Sequence, residues 1–192
     1  FDGKSYIRVN RGYQGATTPE TTKLAKLFNT KVAKHDEEMR RKQTFALDLN
    51  DGFTVEWWMK KDSFTSLAAE SVLSLSSSEG FFDLYLNGYV TSPILLNISG
   101  SDGQSIAHDL ALTSNVTTGS IEDDQWHHYA VSLYREDSNL KTNLYVDGIS
   151  KAINNLSTDI GEITDAPTGQ IAATLNTLGD IGLRADIDDF RF

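Results

Sequence analysis

The sequence contains no cysteine, so it has neither a disulfide framework nor a thiolate metal site. That argues against a secreted animal domain and leaves bacterial and viral settings open. No apolar run approaches the ~18–20 residues needed to span a bilayer, so membrane insertion is not expected. Basic residues are scarce outside positions 23–42, with 17 Lys and Arg against 27 Asp and Glu and a formal net charge of −10. A nucleic-acid binder should present a basic face, so no nucleic-acid partner is expected. The acidic balance fits a solvated surface first, then cation binding or a positive partner. No His-x-x-x-His pair and no nucleophile elbow is present, which removes the familiar zinc and serine chemistries.

A chain of 192 residues with 39% hydrophobic content can bury a core of its own. From Phe45 onward it reads as short strands separated by turn signals. Phe53, Val55, Trp57 and Met59 alternate with Thr54, Glu56, Trp58 and Lys60, the period of a half-buried strand. Asn87-Gly88 and Asp147-Gly148 are hairpin signals, and Ser101-Asp102-Gly103 is a further turn. Strands are also expected over 72–75, 81–86, 94–98 and 106–112, over two segments joined through 135–139, and near 177–183 and 187–192. Residues 113–124 and 154–170 read as polar loops. This pattern predicts an all-β fold, a two-sheet antiparallel β-sandwich spanning 1–192 as a single domain.

One segment breaks the pattern. Thr17-Thr18-Pro19 is a helix-start signal, and Leu24, Leu27, Phe28, Val32, His35 and Met39 follow at helical spacing. An amphipathic helix near 21–42 is expected, inside an insertion at 17–43. The chain begins without Met and closes within a strand pattern, which is the expectation for a domain cut from a longer polypeptide.

Five segments carry a resemblance. They are Phe1-Asp2-Gly3, Phe53–Lys60, the Trp126-His127-His128-Tyr129 strand, Leu144-Tyr145-Val146-Asp147-Gly148, and the closing Ile187-Asp188-Asp189-Phe190-Arg191-Phe192. In this order and spacing they resemble the laminin-G-like members of the concanavalin A-like lectin/glucanase superfamily. The resemblance implies a jelly roll and a binding role. It also implies a structural or groove-lining part for His128 and, from pentraxin-like and laminin-like relatives, bound Ca2+. The β-glucan-cleaving enzymes of the superfamily carry a Glu-x-Asp-x-Glu strand, which places acid and nucleophile on one sheet face. No strand here offers that series, so an enzyme is not expected.

The candidate ligand residues are Glu56, Trp58 and Lys60. Alternation puts them together opposite the core, where an indole suits a sugar ring and the charges suit its hydroxyls. Trp57 and Trp126 are assigned to the core. His127 and His128 are adjacent in a strand and point to opposite faces, so they cannot share a metal. Calcium would need several oxygens from separate loops; Asp51, Asp123, Asp124 and Asp188 are the candidates, with Asp147 assigned instead to its turn.

These readings converge on a non-catalytic recognition module of a larger surface or virion structural protein, in a phage tail, fibre or capsid-associated setting. It would bind a surface glycan or a protein, at an extracellular or virion surface. The alternatives are an architectural domain contacting neighbouring subunits, for which the 21–42 helix is the suspect element, and a polysaccharide-active enzyme.

Overall fold

Alternation in Phe53–Lys60 (β2) decides which side of the first sheet is dry. Val55, Trp57 and Met59 are buried, while Trp58 and Thr54 are exposed and Glu56 and Lys60 are half-buried. The computed structural model describes residues 7–9, 49–50, 52–64, 69–88, 92–112, 114–163, 168–172 and 181–191. The expected 21–42 helix with its 17–43 insertion, Phe1-Asp2-Gly3 and Asp51 lie outside the described residues.

The described strands are β1 (Ile7–Val9), β2, β3 (Glu70–Ser77), β4 (Gly80–Leu86), β5 (Ile94–Ser99), β6 (Ser105–Asp109), β7 (Trp126–Glu136), β8 (Asn139–Val146), β9 (Ile149–Leu156), β10 (Thr168–Ile171), β11 (Ile181–Gly182) and β12 (Ala185–Arg191). They form two sheets, ordered β1-β12-β2-β7-β8-β9 and β10-β3-β4-β5-β6. All these pairings are antiparallel; the two-residue β11 joins β3 in parallel beyond the end of β10. The expected sandwich is therefore the observed one. Among the described residues no helix is long and apolar enough to cross a membrane.

The core lies between the sheets. Trp57 stacks on Tyr129 at 5.5 Å and on Phe190 at 6.2 Å, and Phe53 of the first sheet meets Phe82 of the second edge-on at 5.3 Å. Phe190 reaches this cluster through a bulge. Register slips between Asp188 and Arg191, and Asp189 adopts φ 47°. The extra residue resets the inward and outward alternation, so Phe190 packs on the core and Arg191 lands opposite Glu56.

Turn chemistry largely follows the sequence. Asp147 (φ 52°) and Gly148 (φ 74°) form the left-handed pair that a two-residue hairpin needs. Asn87-Gly88 does not make such a hairpin. β4 ends at Leu86 and β5 begins at Ile94, and the Asn87 N–H donates to the Pro93 carbonyl at 2.9 Å. Gly88 is required there because a Cβ would lie 2.5 Å from Phe64. The expected loop at 113–124 holds a helical turn, α1 (Thr118–Ile121), fixed by a capping box between Thr117 and Ser120. The expected strand 106–112 stops at Asp109, whose carboxylate accepts from the Ala111 N–H and turns the chain.

Candidate functional site on the outer face of the first sheet

Strand pairing brings two indoles together on the solvent side of the first sheet. Trp58 of β2 is opposite His128 of β7, and Lys60 is opposite Trp126. Trp58 and Trp126 are therefore diagonal neighbours, within mutual reach of aromatic side chains. They remain 39% and 37% exposed. The core assignment of Trp126 is thus corrected. Tyr129, Val131 and Leu133 face inward, so the alternate positions, His128 and Trp126, face outward. Trp57 is in the core as expected.

Polar groups frame the indoles. The His128 ring lies 5.3 Å from that of Trp58, and its Nε2 is 3.6 Å from Glu56 Oε2. Arg191 reaches Glu56 Oε1 at 3.5 Å and also pairs with Asp189. Lys60 Nζ is 3.1 Å from the carboxylate of Asp124. Asp124 is positioned by a left-handed backbone (φ 58°) and by its N–H on the Lys61 carbonyl at 3.0 Å. The expected trio Glu56, Trp58 and Lys60 does share this face, with Asp188 opposite Trp58 and Asp186 opposite Lys60.

A second cluster sits at the end of the same strands. His127 Nδ1 is 2.7 Å from Asp147 Oδ2, and its Nε2 is 3.0 Å from Asp123 Oδ2. Only an imidazolium has an N–H on both nitrogens. The Asp123 hydrogen bond, aided by Asp147, raises the His127 pKa against the opposing effect of burial. In return His127 holds the Asp123 carboxyl below its ordinary range. For Asp147, burial pushes upward, but bonds from His127 and from the His128 N–H (2.9 Å) carry its pKa down. Burial, then Asp123 and Asp147, push the neighbouring Tyr129 hydroxyl up. No single spacing in the sequence joins these three residues; β7–β8 pairing does.

A family model described as the concanavalin A-like lectin/glucanases superfamily matches residues 36–192. The chain belongs to that superfamily. No curated protein matches it in sequence. Among solved structures, a native heptameric SAP-like pentraxin from Limulus polyphemus is 13% identical with a TM-score of 0.50, covering 76% of this chain and 65% of that one. Domains LG4-5 of mouse laminin α1 are 12% identical with a TM-score of 0.49, covering 76% of this chain and 38% of that one. The CBM40 of a Ruminococcus gnavus IT-sialidase, bound to α2,3-sialyllactose, is 15% identical with a TM-score of 0.46, covering 96% and 89%. The chain thus spans less than two thirds of the pentraxin and of the laminin fragment.

The calcium that relatives in this superfamily suggest can be tested against the donors. Asp123 is engaged by His127 and by the Gln125 N–H, and Asp124 by Lys60. Asp188 is on a different strand, β12, and accepts from the Asp189 N–H. Among the described residues no group of three or more His, Asp or Glu is arranged to hold a metal ion. The described residues do not fit a calcium cage.

Proposed function

We propose that this superfamily member is a non-catalytic glycan-recognition module of a larger extracellular or virion-surface protein. Its sugar is received on the face formed by Trp58 and Trp126, with Glu56, Lys60 and His128 at the rim. The carrying observation is the pair of half-exposed indoles on adjacent strands. Exposed apolar side chains that adjoin one another within a polar rim form the kind of patch that marks a binding site. A pyranose ring can lay its C–H face on an indole while its hydroxyls meet the flanking charges. The surroundings do not suit glycoside cleavage. A general acid must reach the glycosidic oxygen, whereas the Glu56 carboxylate is engaged by Arg191 and His128.

A screen of the folded domain on a glycan array, in calcium and again in EDTA, tests this reading. Hits should survive EDTA. Trp58→Ala and Trp126→Ala should each weaken binding by about tenfold or more, as a central aromatic anchor does, with an unchanged circular dichroism spectrum and melting temperature. A blank array would reject the glycan reading. It would favour a second one, contact with protein subunits, for which Ile149 and Ile153, 60% and 70% exposed on the last strand of the first sheet, are the supporting feature.

A further inference from the structure

We infer that the indole face selects sugars bearing amino groups and rejects acidic glycans, an inference that rests on the glycan reading above. Carboxylates crowd the two indoles from three sides. Glu56 is two residues from Trp58 on the same face of β2, Asp188 is opposite Trp58 on β12, and Asp186 is opposite Lys60. Asp189 sits at the adjoining bulge, and Asp124 precedes Trp126 by two residues. Against these five carboxylates stand the basic groups of the face, among them the His128 imidazole beside Glu56. Lys60 and Arg191 lie on the face itself, and Arg8 is in register with Asp186.

The cations are also committed. Lys60 is 3.1 Å from Asp124, and Arg191 bridges Glu56 and Asp189. A uronate, sialate or sulfate arriving over Trp58 would have to take a cation from a resident carboxylate and then lie beside that carboxylate. The chain's net charge of −10 adds a field of the same sign. An ammonium meets the opposite situation. When a hexosamine ring stacks flat on an indole, its equatorial amine projects sideways, toward the rim where Glu56 and Asp188 stand. Asp188, which accepts from the Asp189 N–H and lies opposite Trp58, can accept its hydrogen bonds, while Glu56, already met by Arg191 and His128, adds its charge at the rim. The same carboxylates therefore supply both attraction to one class and repulsion of the other.

The test compares four hexasaccharides by calorimetry in mildly acidic, low-salt buffer: glucosamine, N-acetylglucosamine, cellohexaose and oligogalacturonate. The glucosamine oligomer should bind at least about tenfold more tightly than the oligogalacturonate. Its advantage over the N-acetylated oligomer should shrink with added salt. Trp58→Ala should abolish binding, and Glu56→Gln with Asp188→Asn should erase the amine preference while stacking on Trp58 persists. Four outcomes overturn the inference. If oligogalacturonate binds as well as or better than the amine in a Trp58-dependent way, charge selection falls while the glycan reading stands. Equal binding of the free and N-acetylated oligomers does the same. Glucosamine binding that Trp58→Ala leaves intact reduces the effect to bulk attraction by an acidic protein. Failure of all four sugars on a folded sample sinks both the inference and the glycan reading.

Discussion

His127 is the residue whose charge matters most to its surroundings. Its pKa is raised above 6.5 in the fold, and those of Asp123 and Asp147 are lowered below 3.8. A raised histidine contributes stability that is fully present below its unfolded pKa and disappears as pH rises through the folded one. A depressed carboxylate contributes stability that is present above its unfolded pKa and disappears as pH falls through the folded one. The cluster is therefore strongest between 3.8 and 6.5, the ordinary values that bound the window. His127→Gln should lower stability by about 1 kcal/mol inside that window, a charged hydrogen-bond contribution discounted for partial exposure. The gap should narrow as pH rises into the alkaline range. Thermal melts of both proteins across pH measure it; a gap that does not change with pH would reject the account. In the sequence these three residues carried three separate readings: a turn for Asp147, a calcium candidate for Asp123, and for His127 a strand histidine facing away from His128. The opposite-face rule for His127 and His128 was legible from alternation alone, and it holds.

At the scale of elements, a buried ion pair ties three segments together. Lys61 and Glu70 are each 1% exposed and meet at 2.7 Å. Lys61 also donates to the Arg184 carbonyl at 2.9 Å, and the Arg184 N–H donates to Glu70 at 2.9 Å. The end of β2, the start of β3 and the approach to β12 thus converge on two side chains. Burial lowers the Lys61 pKa, with Glu70 opposing that change. Removing one partner strands a buried charge, so Lys61→Met should cost about 3–5 kcal/mol. Combining it with Glu70→Leu should recover much of that loss. Urea denaturation of the two single variants and the double gives the coupling; simple additivity would argue against the pair acting as a unit. In the sequence Lys60 stands out on the outer face, and Lys61 has no role assigned. Yet the alternation of Phe53 through Met59, extended by one more step, points Lys61 inward. The information was present, but residue type argued against it.

For the molecule as a whole, the sandwich was legible because turn signals and alternating strands recur along most of the chain. The order of strands within the sheets was not, since pairing partners leave no mark in a single sequence. That order has a consequence for integrity. β12 lies between β1 and β2, and its Phe190 stacks on Trp57. Deleting residues 185–192 should therefore leave no cooperative thermal transition, with the tryptophan emission of the core shifted toward that of water-exposed indole. A truncated chain that still melted sharply would show that the last strand is dispensable.

The same placement governs when the domain can mature. A nascent chain carries β1 and β2 early, but the strand that must lie between them emerges last. Until residue 191 has left the ribosome, β2 has an open edge and Trp57 lacks one of its stacking partners. Closure of the first sheet therefore waits on synthesis of the whole span from β1 to β12. A chain halted anywhere before β12 exposes that edge to pairing with another strand, so the unfinished domain is the form most open to mispairing.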